Sequence, residues 1–277
     1  MTSPATGRSS WSGCAPAPGS NGGSRPGAAS PGRGSGAAVR APSLLLALET
    51  ALRTPGIALL EGGELVAEIT LPCVQPVSEQ LLAGIDALLK LCGTALEAVD
   101  AFAVSVGPGS FTGLRVGVAT VKGLAFASAR PVAAVSTLAA LACAAGAPGD
   151  TVAAILDARR GEVYAGVYEL TQALPSPKLP DGLFPAPDLA ARLPPSCVLV
   201  GDGARLCAET LGAALGAGAR ILPEALARPP VLQVGRLGYA LLAAGGGIEA
   251  EALAPRYLRR AEAEARRTGE RVETAPL

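Results

Sequence analysis

Gly107-Pro108-Gly109-Ser110-Phe111-Thr112-Gly113-Leu114-Arg115-Val116-Gly117 is the stretch that decides the fold. An apolar run over residues 101–106 leads into it, and apolar residues at three- and four-residue spacing follow it. This pattern predicts a buried strand, a glycine turn and a helix from residue 112 to about residue 128. Ser110 or Thr112 can cap the free N–H groups of that helix. A strand, a glycine turn and a helix N-terminus together are typical of an anion-binding site.

The spacing of the glycines leaves two interpretations open. Gly107, Gly109 and Gly113 read G-x-G-x-x-x-G, which is one residue longer than the dinucleotide fingerprint. No acid follows at a strand end about 20 residues later, and the chain contains no Walker A sequence. Either the turn holds a phosphate, which would make the chain an independent nucleotide-binding enzyme of the actin-like or Rossmann type, or it is a tightly packed turn without a ligand.

The residues on either side of this stretch predict a mixed sheet. Before it lie strands over 43–49, 56–60 and 65–71 and a helix over 78–92 with Ser78 as its N-cap, and after it lies a strand over 132–135. The order β-β-β-α-β-α-β is typical of a sheet with helices packed against it. The second half predicts a hairpin over 151–170, a long proline-rich loop over 171–195, a strand over 197–200 and a helix over 231–244.

Composition excludes several classes of chemistry. The 277 residues are 49% hydrophobic and carry no formal net charge, which argues against a protein that grips nucleic acid by itself. There is no histidine, so neither a Ser–His–Asp nucleophile nor a histidine metal site is possible. The six cysteines include no CxxC pair and indicate reduced thiols in a cytosolic protein. No apolar run approaches the length of about 18 residues that spans a membrane.

The two ends of the chain differ from the rest. Residues 1–42 consist mainly of Gly, Pro, Ser, Ala and Arg, with no acid and no apolar periodicity, so we expect a disordered extension. Met1 is the only methionine, and we interpret this extension as a mis-called start, with translation beginning at Val39. Residues 261–277 mix Arg and Glu and are expected to form a flexible tail.

Four segments resemble the TsaB (YeaZ) family, and the likeness covers roughly residues 43–260. Gly107–Gly117 resembles the family signature GPGSFTGLR(I/V)G, and LLALET at 45–50 resembles its opening strand. LDARRGEVY at 156–164 resembles the family hairpin, and PRYLR at 255–259 resembles its C-terminal P-x-YLR. Members of this family are subunits of the bacterial machinery that places threonylcarbamoyl on adenosine 37 of tRNA (t6A37).

The resemblance implies an α/β protein of the actin-like ATPase (ASKHA, RNase H-like) fold. It would have two lobes, over 43–136 and 137–260, each with a mixed sheet flanked by helices, the second lobe being reduced. In that superfamily the turn after the first strand holds nucleotide phosphates, and an acid there, commonly aspartate, helps to place Mg²⁺. The matching residues here are Glu49 and Thr50, which are either a weak nucleotide contact or a strand end without a ligand.

The resemblance also implies a docking surface. TsaB proteins pair with the transferase TsaD, or with themselves, through two helices packed as a four-helix bundle. On the helix after the signature loop, Ala119, Gly123 and Ala127 form one small-residue strip, and Gly113 and Gly117 form another. One strip must pack on the chain's own sheet, and the other is free for a partner. The apolar stripe of the helix over 78–92 could serve either the core or an interface, and the resemblance favours the interface. The predicted interface residues are Ser78, Leu81, Leu82, Ile85, Leu89, Arg115, Ala119, Lys122, Gly123 and Ala127.

The chain lacks the catalytic motif of its sister family. TsaD carries an HxxxH metal site after its fifth strand, and the matching positions here are Thr137 and Leu141, which are expected in a core helix. We therefore predict a non-catalytic, cytoplasmic scaffold subunit that binds and activates TsaD, and binds the ATPase TsaE as well. It would bind no cofactor alone, ATP, ADP and metal would act through TsaD and TsaE, and tRNA would be reached only through the complex. A homodimer is expected when the chain is alone.

Overall fold

The computed structural model describes residues 41–172, 174–223 and 230–259. The expectations for the N-terminal extension, apart from residues 41 and 42, and for the tail over 261–277 lie outside these residues. Among the helices that the described residues form, none is both long and apolar enough to cross a lipid bilayer. The five cysteines in the described part of the chain are free thiols.

Ten strands and seven helices follow one another along these residues. They are β1 Leu44–Glu49, β2 Gly56–Glu61, β3 Glu64–Thr70, α1 Val77–Leu91, β4 Ala101–Gly107, α2 Phe111–Ser128, β5 Val132–Ser136, α3 Thr137–Ala145, β6 Thr151–Asp157, β7 Glu162–Glu169, β8 Ser176–Pro185, α4 Ala186–Ala190, β9 Cys197–Val200, α5 Asp202–Leu206, α6 Ala208–Leu215, β10 Ala219–Ile221 and α7 Val231–Ala243. Short 3-10 helices lie at Leu96–Ala98, Gly216–Gly218 and Ala250–Ala252.

The strands form two five-stranded sheets with the same arrangement. The first has the order β3-β2-β1-β4-β5 and the second, read from its other edge, β8-β7-β6-β9-β10. In each sheet the central strand, β1 or β6, pairs antiparallel with the strand that follows it in the chain. On its other side it pairs parallel with β4 or β9. This repeated arrangement, with helices against both sheets, is the predicted actin-like fold. The second sheet contains the two shortest strands, β9 and β10, which have four and three residues.

Strand β1 separates the two layers of the core, because successive side chains of a strand point to opposite faces of its sheet. Leu46 and Leu48 face a cluster with buried residues of α1 and α2. Leu45 and Ala47 face a second cluster, which includes residues of α3, α7 and β6. The predicted boundary between the two lobes, after residue 136, lies where β5 is followed directly by α3. Both layers are therefore built around the strand that also leads into the turn described below.

The predicted loop over 171–195 is wrong for most of its length. Ser176–Pro185 forms β8, which pairs antiparallel with β7, and Ala186–Ala190 forms α4. β8 is an edge strand whose register against β7 is interrupted twice. Proline cannot donate a ladder hydrogen bond, but an edge strand needs such bonds on one side only. The prolines that suggested a loop are therefore compatible with a strand here.

The predicted cap of α1 is also wrong, whereas that of α2 is confirmed. α1 begins at Val77 with Pro76 as its N-cap, so Ser78 lies one residue inside the helix and makes no capping bond. The extended backbone of Pro76 gives the cap geometry without a side-chain acceptor. At α2, Ser110 is the N-cap, and its Oγ accepts a hydrogen bond from the N–H of Gly113 at 3.2 Å.

Helix α2 is held against the turn after β1 by contacts that need glycine. The Thr50 hydroxyl donates a hydrogen bond to the carbonyl oxygen of Gly113 at 2.8 Å. A Cβ atom at Gly113 would lie 1.9 Å from the Thr50 carbonyl oxygen, and one at Gly117 would lie 2.1 Å from Thr50 Oγ1. Gly123, on the same helix, has nothing within 4 Å of its Cβ position. The strip of Gly113 and Gly117 is therefore the one that packs on the chain itself.

The two kinds of glycine in α2 make a matched test. Gly113→Ala should lower the free energy of unfolding by about 1–3 kcal/mol, because the added methyl group overlaps the Thr50 backbone. Gly123→Ala should leave it unchanged or raise it by up to about 1 kcal/mol, because alanine is the better helix former. Urea unfolding of both variants measures the difference. Equal effects of the two substitutions would contradict this account of the helix.

Candidate functional site

The apolar stripe predicted on α1 lies mostly inside the protein. Leu81, Ile85 and Leu89 are 1%, 4% and 5% exposed and pack in the cluster beneath the first sheet. Their assignment to a partner surface is therefore wrong, because a helix on a sheet turns its continuous apolar stripe towards that sheet. Leu82 lies on the other side of the helix and is 61% exposed, and Ser78 is exposed as well.

The outer side of α2 carries the second strip of small residues. Ala119, Gly123 and Ala127 are all exposed. Phe126, which is not among the predicted interface residues, is 68% exposed. It follows Gly123 by three residues, and residues three and four apart share a face of a helix. Seven of the exposed residues of the two helices are together called the α1–α2 face here: Ser78, Leu82, Arg115, Ala119, Gly123, Phe126 and Ala127.

One end of this face is a stack of side chains from distant parts of the chain. The Arg115 guanidinium lies 3.9 Å from the centroid of the Phe111 ring, and its Nε donates to the Tyr257 hydroxyl at 3.0 Å. The rings of Phe111 and Tyr257 are 4.9 Å apart. A cation above an aromatic face is attracted by the ring quadrupole. Arg115 is therefore held in position although it is exposed.

Lys122 was predicted at the interface, but it is used within the chain. Its Nζ donates to the backbone carbonyl oxygens of Glu251 at 2.9 Å and Leu253 at 3.2 Å. The ammonium group thus fixes the C-terminal segment to α2.

The space beside the glycines of the signature loop is occupied by the turn after β1. A Cβ atom at Gly109 would lie 2.5 Å from the carbonyl oxygen of Ala51, which also accepts the N–H of Ser110 at 2.7 Å. The Ser110 hydroxyl accepts a hydrogen bond from the N–H of Gly113. The close approach that these glycines allow is therefore made by the turn after β1. This arrangement favours the interpretation of a packed turn over that of a phosphate loop.

Glu49 stabilises the same turn from inside. Its side chain is fully buried, and Oε1 accepts the backbone N–H groups of Ala51 at 2.6 Å and Leu52 at 3.1 Å. Burial raises the pKa of Glu49 to about 7, and the Ser105 hydroxyl and the two N–H groups offset only part of that rise. Thr50, its neighbour, is 1% exposed and bonds to α2.

A cleft of about 790 Å³ lies between this turn and the hairpin of the second sheet. Asp157 pairs with Arg159 at 3.1 Å, and its backbone N–H donates to Asp202 Oδ1 at 3.0 Å. Asp157 and Arg159 therefore neutralise each other, whereas Asp202 accepts a backbone hydrogen bond and keeps its charge. No group of three or more His, Cys, Asp or Glu residues that could hold a metal occurs among the described residues. Thr137 and Leu141 are buried in α3, as predicted.

The buried carboxyl makes stability depend on pH. Glu49 keeps its proton in the folded state to about pH 7, whereas an ordinary glutamate loses it near pH 4.5. Its stabilising contribution is therefore complete below about pH 4.5 and is lost as the pH rises through about 7, a fall of about 3 kcal/mol at most. Glu49→Gln should abolish this fall, as measured by urea unfolding across that range. Glu97→Gln, at an exposed carboxylate, is the control and should follow the unsubstituted chain.

Comparison with known proteins identifies relatives by sequence and by structure. Residues 73–266 match the family model described as TsaD: tRNA N6-adenosine threonylcarbamoyltransferase. The Bacillus subtilis tRNA threonylcarbamoyladenosine biosynthesis protein TsaB is 32% identical over 225 residues, which is 80% of this chain and 96% of that protein. The crystal structure of a Pseudomonas aeruginosa protein described as similar to the peptidase YeaZ has a TM-score of 0.69 at 34% identity, covering 78% of this chain and all of that one. The structure of YeaZ from the same organism has a TM-score of 0.66 at 33% identity, with the same coverage. This chain therefore belongs to the TsaB (YeaZ) family.

Proposed function

We propose that this chain takes part in tRNA threonylcarbamoyladenosine biosynthesis as a non-catalytic subunit that binds and activates TsaD. The observation that carries the proposal is the exposed α1–α2 face, in which Gly123 has nothing within 4 Å of its Cβ position. The small residues Ala119, Gly123 and Ala127 let another helix approach closely, since side-chain size sets the distance between helix axes. The names of the relatives and of the matching family model support this function.

Two further properties of the α1–α2 face suit a partner. Leu82 and Phe126, with 61% and 68% of their surface exposed, supply apolar area that is unfavourable in water. Arg115 is already held by Phe111 and Tyr257, so little side-chain entropy is lost when a partner binds it. Arginine and aromatic residues are also enriched among the residues that dominate binding energy. The face thus combines a close helix contact with a preorganised anchor.

The chemistry of the reaction is assigned to TsaD. Histidine is absent from all 277 residues, and the positions that match the TsaD metal ligands are Thr137 and Leu141. ATP, ADP and metal would act through TsaD and the ATPase TsaE, and a formal charge of zero suits contact with tRNA only through the complex. The same face would form a homodimer when TsaD is absent. We expect the complex to work in the cytoplasm.

A positive charge at Gly123, on the α1–α2 face, should disrupt the proposed complex with TsaD. Gly123→Arg places a long cation where a helix would pack, and it should weaken binding to the TsaD of the same genome by at least about 100-fold. The chain should still fold, because Gly123 is exposed and a Cβ atom there meets no atom within 4 Å. Size-exclusion chromatography and calorimetry of the mixture measure the loss.

The matched control is Gly212→Arg. Gly212 lies in α6, is exposed, and also has nothing within 4 Å of its Cβ position. The Gly212→Arg variant should co-elute with TsaD as the unsubstituted chain does. If Gly123→Arg still co-elutes with TsaD, the assignment of this face is wrong. Tight ATP binding by the isolated chain would instead favour the nucleotide-binding enzyme that the glycine spacing left open.

A further inference from the structure

The stack at one end of the α1–α2 face leaves part of its guanidinium group unused. Arg115 Nε donates to the Tyr257 hydroxyl at 3.0 Å, and the guanidinium carbon lies 3.9 Å from the centroid of the Phe111 ring. Neither of the two Nη nitrogens of Arg115 makes a hydrogen bond or an ion pair within the described part of the chain. These two nitrogens form a fork of donors that matches the two oxygens of a carboxylate.

The charge of Arg115 is not balanced by a nearby acid of the chain. Arg115 is the charged residue among the seven of the α1–α2 face, and α2 contains no aspartate or glutamate. On α1, the Asp86 carboxylate already pairs with Lys90 at 2.7 Å. A helix that covers Arg115 takes water away from the guanidinium, and a desolvated cation without an acceptor is strongly unfavourable. The partner must therefore supply that acceptor.

Arg115 continues the row that the small residues of α2 form. Arg115, Ala119, Gly123 and Ala127 follow one another at intervals of four residues and so share one side of the helix. With a rise of about 1.5 Å per residue, Arg115 lies about 12 Å from Gly123 along the helix axis. A second helix that packs at about 20° to α2 stays beside it over this length. The side chain that meets Arg115 would then lie about seven or eight residues from the one that meets Gly123.

We propose that Arg115 binds an aspartate or glutamate carboxylate on the TsaD helix that packs along α2. The proposal rests on the proposed function, because it concerns the same face and the same partner. The carboxylate accepts hydrogen bonds from the two Nη nitrogens, while Phe111 and Tyr257 hold the guanidinium in place. A helix with an apolar or basic residue at this position would leave the cation without an acceptor. Arg115 thus helps to select the partner.

The composition of the face favours TsaD over a second copy as the source of this carboxylate. In a symmetric dimer the same surface patch of both subunits meets. None of the seven residues of the α1–α2 face is acidic, so a second copy of the face brings no carboxylate to Arg115. A homodimer through this face would therefore cover the cation without neutralising it.

A double-mutant cycle tests the contact, because it separates a direct pair from a general loss of structure. Arg115→Met keeps an unbranched side chain beside Phe111 but removes the charge and the fork. It should weaken binding to the TsaD of the same genome at least about tenfold, as measured by calorimetry with the full chain. Each aspartate and glutamate on the docking helices of TsaD is then changed in turn to asparagine or glutamine. One of these changes should weaken binding equally, and combined with Arg115→Met it should add less than about twofold.

The matched control is Arg220→Met, which removes an exposed arginine from β10 of the second sheet. This variant should bind TsaD as the unsubstituted chain does. If Arg115→Met binds TsaD within about twofold of the unsubstituted chain, or if no TsaD carboxylate is coupled to Arg115, the proposal is overturned. Loss of binding in Gly123→Arg would in that case still support the docking face.

Two further outcomes would also overturn the proposal. If Arg115→Met weakens self-association in analytical ultracentrifugation but leaves TsaD binding unchanged, the carboxylate belongs to a second copy of the chain. If the unsubstituted chain does not bind TsaD at all, the proposed function is wrong and this contact fails with it.

Discussion

Close contact between Thr50 and two glycines of α2 fixes the first lobe. The turn after β1 and the start of α2 occupy neighbouring space that any side chain at Gly113 or Gly117 would fill. Glu49 holds the turn from the buried side, and the Thr50 hydroxyl bonds to the helix. The turn, the loop and the helix are therefore one packed unit, and the direction of α2 follows from it.

This packing determines which chemistry the loop can perform. In a phosphate site, glycines leave backbone N–H groups open to an anion. Here the Ser110 hydroxyl accepts a hydrogen bond from the N–H of Gly113. The Ala51 carbonyl oxygen accepts one from the N–H of Ser110 and fills the space beside Gly109. The same residues that suggest a nucleotide loop serve to anchor a helix. The other small-residue strip of α2, formed by Ala119, Gly123 and Ala127, remains on the surface.

The sequence was most informative where local patterns decide the structure. The succession of strands and helices along the first lobe, the Ser110 cap and the helix after the loop follow from local spacing, and all are confirmed. Prolines made β8 look like a loop, because the sequence does not show that a strand lies at a sheet edge. The stripe with Leu81 and Ile85 was apolar enough for either core or interface, and only the position of the sheet decides between them.

The site residues that the sequence could not bring together meet at residues 255–259. Arg256 donates its N–H to the Val106 carbonyl oxygen at 2.7 Å, and Tyr257 stacks on Phe111 beside Arg115. Arg259 bonds to Glu162 and to the backbone of Ala158, in the hairpin of the second sheet. Contacts between residues more than 90 positions apart leave no periodic signal in the chain. This short segment thus connects the signature loop, the hairpin of the second sheet and one end of the α1–α2 face.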